Sequence, residues 1–510
     1  MLENYVKKIL ASKVYDVAIE SPLSTAPLLS KRLGTTVQFK REDLQPVFSF
    51  KLRGAYNKIA NLPKTELARG VITASAGNHA QGVALAARQL GIKATIVMGR
   101  NTPSIKVDAV RNLGAKVVLY GDGFDEAAAH AKQLMAKQGS TFVHPFDDID
   151  TIAGQGTVAL EILNQTHGDP HAIFVPVGGG GLVAGIAAYV KYLKPKVRII
   201  GVEAEGSACL LAALKAGRRV RLPAETLDMF ADGVSVAQIG RETFKIARRY
   251  VDEVITVNTD EICAAVKDVF DDTRSIAEPS GALSVAGLKK WVERDPARVT
   301  KLEGSLVAII SGANVNFDRL RHISERAELG EQREVLVGVS IPEQRGSFLK
   351  FCKALGKRAV TEFNYRYNSD SAAHVYVGLQ VASGETAEDL VTALGRKGYS
   401  LVDMTGNEAA KLHVRHMVGG RPQNEQREVL YRFEFPERPG ALLNFLTGLG
   451  NRFNITLFHY RNHGSAWGRV LVGFSIDDAS ADKELNAYLK RIGYRFWSES
   501  DNPAYQLFLR

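Results

Sequence analysis

Beyond residue 330 the chain repeats itself. Pro342-Glu343-Gln344-Arg345-Gly346-Ser347-Phe348-Leu349 is answered by Pro436-Glu437-Arg438-Pro439-Gly440-Ala441-Leu442-Leu443. Thr361-Glu362-Phe363-Asn364-Tyr365-Arg366 is answered by Thr456-Leu457-Phe458-His459-Tyr460-Arg461. Val375 to Leu379 matches Val470 to Phe474, and Gly398-Tyr399 matches Gly493-Tyr494, all at a spacing of 94 to 95 residues. Four blocks in register fix the architecture of the tail before any single residue is weighed. Each copy reads strand, Pro-Glu-x-x-Gly turn, helix, strand, strand, helix, strand, which is a ferredoxin-like βαββαβ unit. Two modules are expected, over residues 334–408 and 429–503.

The first 328 residues have another character. From about residue 70 to 205, short β-rich runs alternate with helical stretches. Strands are predicted at Val71 to Thr73, Ala94 to Met98, Lys116 to Tyr120, Thr141 to Val143 and Ala172 to Val177. Helices are predicted at Asn78 to Leu90, Ser104 to Leu113, Asp125 to Lys137, Thr157 to Leu163 and Leu182 to Tyr192. Gly91 can cap the first of these in the left-handed conformation. Alternation of this kind predicts an α/β fold with parallel sheets. A further apolar strand, Val307 to Ile310, runs into Ser311-Gly312-Ala313-Asn314.

Composition excludes several classes. Apolar residues make up 45 % and charged residues 24 % of the 510, enough for ample cores. No apolar run is long enough for a bilayer, and Met1 to Lys8 lacks a signal-peptide layout, so neither membrane nor export is expected. The net charge of +10 is scattered among acidic residues without a basic block, so nucleic acid is not expected as a partner. Cys209, Cys263 and Cys352 lie far apart and without metal-ligand spacing, which predicts a reducing cytoplasm.

Chemistry concentrates in four places. Lys51 follows the apolar stretch Val47-Phe48-Ser49-Phe50, which would desolvate its ammonium and favour the nucleophilic amine. Gly178, Gly179, Gly180 and Gly181 link a buried strand to a helix beginning near Leu182. Such a turn brings amide N–H groups to an anion, and a helix N-terminus adds positive potential. A tight turn without a ligand is the competing reading. Walker spacing and the dinucleotide fingerprint are both missing, so a small phosphate-bearing cofactor is favoured over a nucleotide. Ser75, Ala76, Gly77, Asn78 and His79 form another strand-to-helix junction, suited to a carboxylate or simply to helix capping. Ser311 ends a strand where open α/β sheets place their ligands. An imine-forming lysine, a phosphate cradle, a carboxylate loop and a strand-end serine suggest pyridoxal 5'-phosphate.

With Glu278-Pro279-Ser280-Gly281 added, these motifs stand in the order found in pyridoxal-phosphate enzymes of the tryptophan-synthase β fold. Together with the repeated tail, the chain resembles the biosynthetic threonine deaminases (threonine ammonia-lyases) over nearly its whole length. The resemblance implies a two-subdomain catalytic region at 1–328, its smaller subdomain inserted at about 50–150, then two ACT-like regulatory modules. It implies that Lys51 holds the cofactor and moves protons at the substrate, and that Phe50 packs on the cofactor ring. Asn78 would bond the ring hydroxyl, Gly178 to Gly181 with Leu182 the phosphate, and Ser311 the pyridine nitrogen. Ser75, Ala76, Gly77, Asn78 and His79 would hold the substrate carboxylate.

The same resemblance implies dehydration and deamination of L-threonine to 2-oxobutanoate and ammonia, and of L-serine to pyruvate, at the committed step of isoleucine synthesis. Inhibition by L-isoleucine, opposition by L-valine, a homotetramer and a monovalent cation with no nameable ligands are also implied. Similar serine racemases carry a serine where this chain has Ala76, which argues against racemisation. A cysteine-synthase-like β-replacement enzyme, a serine-preferring dehydratase and a non-enzymatic amino-acid sensor are the alternatives.

Overall fold

The computed structural model describes residues 1–331, 334–342, 350–351, 354–355, 360–366, 372–381, 385–414, 428–436, 445, 453, 455–461, 467–476 and 479–509. The turns around Gly346 and Gly440, most of the first helix of each repeat, and Cys352 lie outside them. The chain divides into two compact units, Met1–Ala327 and Glu328–Arg510.

The first unit contains β1 (Leu23–Thr25), β2 (Val37–Arg41), β3 (Val71–Ala74), β4 (Ala94–Met98), β5 (Lys116–Leu119), β6 (Thr141–Phe142), β7 (Ala172–Pro176), β8 (Arg198–Ala204), β9 (Glu253–Val257) and β10 (Leu306–Ile310). Two sheets result, in the orders β1-β2-β10-β7-β8-β9 and β5-β4-β3-β6. The smaller sheet is parallel throughout. The larger is parallel except at its edge, where β1 pairs antiparallel with β2. The buried strands β7 and β10 are apolar along their length, as strands covered on both faces must be. Alternate residues serve the two faces: Phe174 and Ala308 join one core cluster, Ile173, Val175, Val307 and Ile309 the other.

Five helices position the site: α1 (Lys51–Ala60), α2 (Asn78–Leu90), α3 (Ile149–Gln165), α4 (Gly181–Leu193) and α5 (Pro279–Glu293). Gly91 caps α2 at φ 65, in the left-handed conformation. Helix α3 is far longer than the predicted Thr157 to Leu163. It begins at Asp148, whose carboxylate accepts from the amides of Asp150 and Thr151. Its early glycines are close contacts rather than breaks. A Cβ on Gly154 would lie 2.6 Å from the Arg53 carbonyl oxygen, and one on Gly156 would lie 2.5 Å from Ile9.

The second unit holds two four-stranded antiparallel sheets. The first comprises β11 (Glu334–Pro342), β12 (Val360–Arg366), β13 (Ala372–Gln380) and β14 (Ser400–Asp403), in the order β12-β13-β11-β14. The second comprises β15 (Glu428–Pro436), β16 (Ile455–Arg461), β17 (Trp467–Ser475) and β18 (Arg495–Ser498), in the matching order β16-β17-β15-β18. These are ferredoxin-like sheets, with the second helix of each repeat at Ala387–Arg396 and Ala479–Ile492. Each copy then adds a short helix, α6 (Glu408–Leu412) and α7 (Pro503–Phe508), capped by Asn407 and Asn502. Leu336, Tyr376, Leu430, Leu471, Ala410, Tyr505 and Phe508 share one core. The two capping asparagines meet, Asn407 Nδ2 donating to Asn502 Oδ1 at 3.0 Å.

Candidate active site

Lys51 opens α1, directly after a segment that lies along the end of β10. Ser49 bridges Gly312, Phe50 N donates to Ser311 O at 3.2 Å, and Ala313 N donates to Phe48 O at 2.9 Å. Phe48 takes φ 55, unusual for a bulky residue, so the chain turns sharply just before the lysine. Lys51 Nζ donates to Pro145 O at 3.2 Å and lies 5.3 Å from the centre of the Phe50 ring. Burial lowers its pKa to about 8, with Glu278 pulling the other way. The amine is thus far closer to its neutral form at ordinary pH than a surface lysine.

Helix α1 is anchored by a fully buried ionic network. Arg53 bonds Glu42 through Nε at 2.8 Å and Glu161 through Nη1 at 2.6 Å, and Lys40 meets Glu161 at 2.6 Å. Two cations and two carboxylates cancel, and Ser21 and Thr157 bring further hydrogen bonds.

The strip Pro145-Phe146 joins Lys51 to the glycine loop. Its carbonyl at Pro145 receives Nζ, while the Phe146 ring closes on the loop so tightly that a Cβ on Gly179 would sit 2.2 Å from it. A Cβ on Gly178 would lie 3.0 Å from Val234, and one on Gly180, at φ 90, would lie 2.6 Å from Ile239. Gly179 and Gly180 leave no room for a side chain, and Gly178 little. Gly179 O is held by Thr243 Oγ1 at 2.8 Å and Gly240 N at 3.2 Å. These contacts hold the loop in place, and Gly181 and the buried Leu182 begin α4 with their amides at its N-terminus.

At the second strand-to-helix junction, Ser75 Oγ accepts from Gly77 N at 3.3 Å, and Gly77 rather than Ser75 or Asn78 is the residue before α2. A Cβ on Gly77 would meet nothing within 4 Å, so this turn faces open space. Ala76 packs partly against the core of the smaller sheet. His79 Nε2 lies 3.0 Å from Val143 O. A carbonyl only accepts, so Nε2 carries the hydrogen and the buried Nδ1 is left without a partner. Burial, with Lys51 second, lowers His79 to about 3, keeping it neutral. Its ring thus offers no donor to a carboxylate.

Ser311 is buried, and its Oγ donates to Ser280 O at 3.2 Å. Buried Glu278, in the sequence only one member of Glu278-Pro279-Ser280-Gly281, is central here. Its Oε1 accepts from Asn78 Nδ2 at 2.6 Å and from Ser280 Oγ at 3.1 Å. Nearby, Asp232 binds Lys106 at 2.6 Å. Burial alone would raise Asp232, but Lys106 and then Arg319 bring it down to about 2. Neither Phe146 nor Asp232 carries a sequence signal of its own, because each matters through a contact distant in the chain. Among the described residues, no cluster of three or more His, Cys, Asp or Glu is arranged for a metal ion, and no helix is long and apolar enough to cross a membrane.

Residues 14–312 match the family described as pyridoxal-phosphate dependent enzyme, and residues 325–414 and 419–509 each match the C-terminal regulatory domain of threonine dehydratase. The chain is 53 % identical to the L-threonine dehydratase biosynthetic IlvA of Burkholderia multivorans over 509 residues, covering 99 % of both. Identity to the Escherichia coli protein of that name is also 53 %, covering 99 % of this chain and 97 % of the relative. Among solved structures, the processed form of threonine deaminase isoform 2 from Solanum lycopersicum superimposes with a TM-score of 0.61 at 52 % identity, covering 64 % of this chain and 93 % of that one. Maize serine racemase gives 0.58 at 32 % identity, covering 62 % and 95 %.

Proposed function

Because the chain belongs to the biosynthetic threonine dehydratases, pyridoxal-phosphate-dependent lyases with a C-terminal regulatory region, we propose that Lys51, Phe50, Asn78, Gly178 to Leu182 and Ser311 form its cofactor site and Ser75 to His79 its carboxylate site. The residues present fit the cofactor. The glycine loop is a rigid amide-lined turn that a Cβ would fill, and Lys51 is a buried amine of lowered pKa. When bound, the cofactor supplies an electron sink for the pair left at the substrate Cα.

In this reading Lys51 Nζ would anchor the cofactor and, with its amine neutral, would take the proton from the substrate Cα. The amides at Gly77 to His79 orient the substrate carboxylate, and Phe50 excludes water from one face. The β-hydroxyl then departs as water. Water later returns as the nitrogen is released, so L-threonine yields 2-oxobutanoate and ammonia, and L-serine yields pyruvate and ammonia. Ser311 would face the pyridine nitrogen, where a neutral hydroxyl, unlike a carboxylate, would not impose a proton on the ring. The observation that carries this reading is the Pro145-Phe146 strip, which touches Lys51 and the glycine loop at once.

We also propose that L-isoleucine inhibits and L-valine opposes it, through the repeats, with the turns near Gly346 and Gly440, which lie outside the described residues, and the strands Thr361 to Tyr365 and Thr456 to Tyr460 as linings, and a homotetramer as the assembly. Effectors act only through differential affinity for two states. Cys209 and Cys263 form no disulfide, which suits a reducing compartment, the cytoplasm. The test is 2-oxo acid release from L-threonine by the purified protein with pyridoxal phosphate, with and without L-isoleucine. Turnover suppressed by isoleucine supports both parts. Turnover indifferent to isoleucine removes the regulatory part, and cofactor binding without turnover favours a β-replacement enzyme.

A further inference from the structure

Asn314 fixes a chain of hydrogen bonds that ends on a buried carboxyl. Its Nδ2 donates to Val47 O at 2.8 Å and to Asn78 Oδ1 at 2.7 Å, which uses both amide hydrogens. The carbonyl of Val47 can only accept, so the orientation of Asn314 is settled, and with it that of Asn78. Oδ1 of Asn78 must face Asn314 and Nδ2 must face Glu278, where the separation is 2.6 Å. One N–H of Asn78 remains, and its direction is set by the other.

Glu278 is itself held firmly. Its backbone N donates to Gly312 O at 3.1 Å, its carbonyl accepts from Gly281 N at 2.8 Å at the start of α5, and Ser280 Oγ donates to Oε1 at 3.1 Å. There is no slack around the pair. A Cβ on Gly312 would lie 2.6 Å from Glu278 Oε1 and 3.2 Å from Asn78 Nδ2. At 2.6 Å the Asn78–Glu278 contact is short for an N–H···O hydrogen bond.

We propose that Glu278 is a positioning residue for the dehydration, gripping one Nδ2 hydrogen of Asn78 so that the other is held toward the cofactor's ring hydroxyl. This rests on the reading that Asn78 contacts that hydroxyl. Without an acceptor at 278 the Asn78 amide can tilt, and its second hydrogen loses its aim. Glu278 thereby acts on the cofactor without touching it.

The test is a double-mutant cycle on the dissociation constant of pyridoxal phosphate and the absorption band of the bound cofactor, using Asn78→Ala, Glu278→Met, Glu278→Gln and the combinations with Asn78→Ala. Glu278→Met keeps the length and fills the space but offers no acceptor. It is expected to weaken cofactor binding about tenfold and shift the band, and to have no further effect once Asn78 is alanine. Glu278→Gln keeps an acceptor and should stay within about threefold of the parent. Equal losses from Glu278→Met with and without Asn78 would overturn the proposal by making Glu278 a structural residue only. If Glu278→Met does not fold, the same cycle is read with Glu278→Gln, where a tenfold loss that persists beside Asn78→Ala overturns it. If Asn78→Ala alone leaves affinity and band unchanged, the reading of Asn78 is what fails.

Discussion

Lys51 Nζ is an amine whose reactivity is set by burial, against the opposing pull of Glu278. Its pKa of about 8 gives a pH expectation with a definite sign. Only the neutral amine captures an aldehyde, so the rate at which apoenzyme takes up pyridoxal phosphate should rise through pH 8 and level off above it. A rate still climbing steadily toward the ordinary lysine value would show that burial does not tune this group. The stability linkage runs in the same direction. Between about pH 8 and the ordinary lysine value the unfolded chain binds the extra proton, so this group makes the apoenzyme more stable as pH rises across that window. Lys51→Ala should lose turnover by about a thousandfold or more and lose the covalent cofactor band, since the bond to the cofactor would be made through Nζ. The lysine and the glycine run were legible because their chemistry is local. The role of Glu278 was not, since Asn78 lies 200 residues away in the chain.

Helices α1 and α3 show why element boundaries were harder to read than element types. Gly154 and Gly156 look like breakers in the sequence, yet they sit inside α3 because Arg53, Gly54 and Ile9 approach too closely for any side chain. Tertiary packing overrides local propensity here. Gly154→Ala should therefore destabilise by about 1–3 kcal/mol, despite alanine's better helix propensity, and should depress turnover by shifting α1. Urea unfolding midpoints and kcat together check this; a stabilised variant would contradict the contact. Arg53→Ala leaves Glu42 and Glu161 buried with only Lys40 as counter-charge, and is expected to cost about 3–5 kcal/mol. A loss under about 1 kcal/mol would mean that water reaches the network.

For the molecule as a whole, the tail was the most legible part, since a repeat in register predicts a repeated fold. What the repeat could not convey was the joining of its copies, because α6 and α7 follow the last strand of each unit and pack into a common core. Phe508 of the second copy meets Tyr376 of the first at 5.6 Å, edge to face. A chain ending after Gly330 is expected to keep threonine turnover and lose any response to isoleucine, measured as 2-oxo acid release across an isoleucine titration. An inhibition curve unchanged by the truncation would place the effector site in the first unit.

The meeting of Asn407 with Asn502 carries a consequence for descent. After an internal duplication, two copies ordinarily diverge as if each were alone. Here each asparagine starts its own helix and also touches its counterpart, so a replacement in one copy disturbs the other's cap as well. At this seam a substitution in either copy is felt by both, so the two positions are expected to tolerate change together rather than singly.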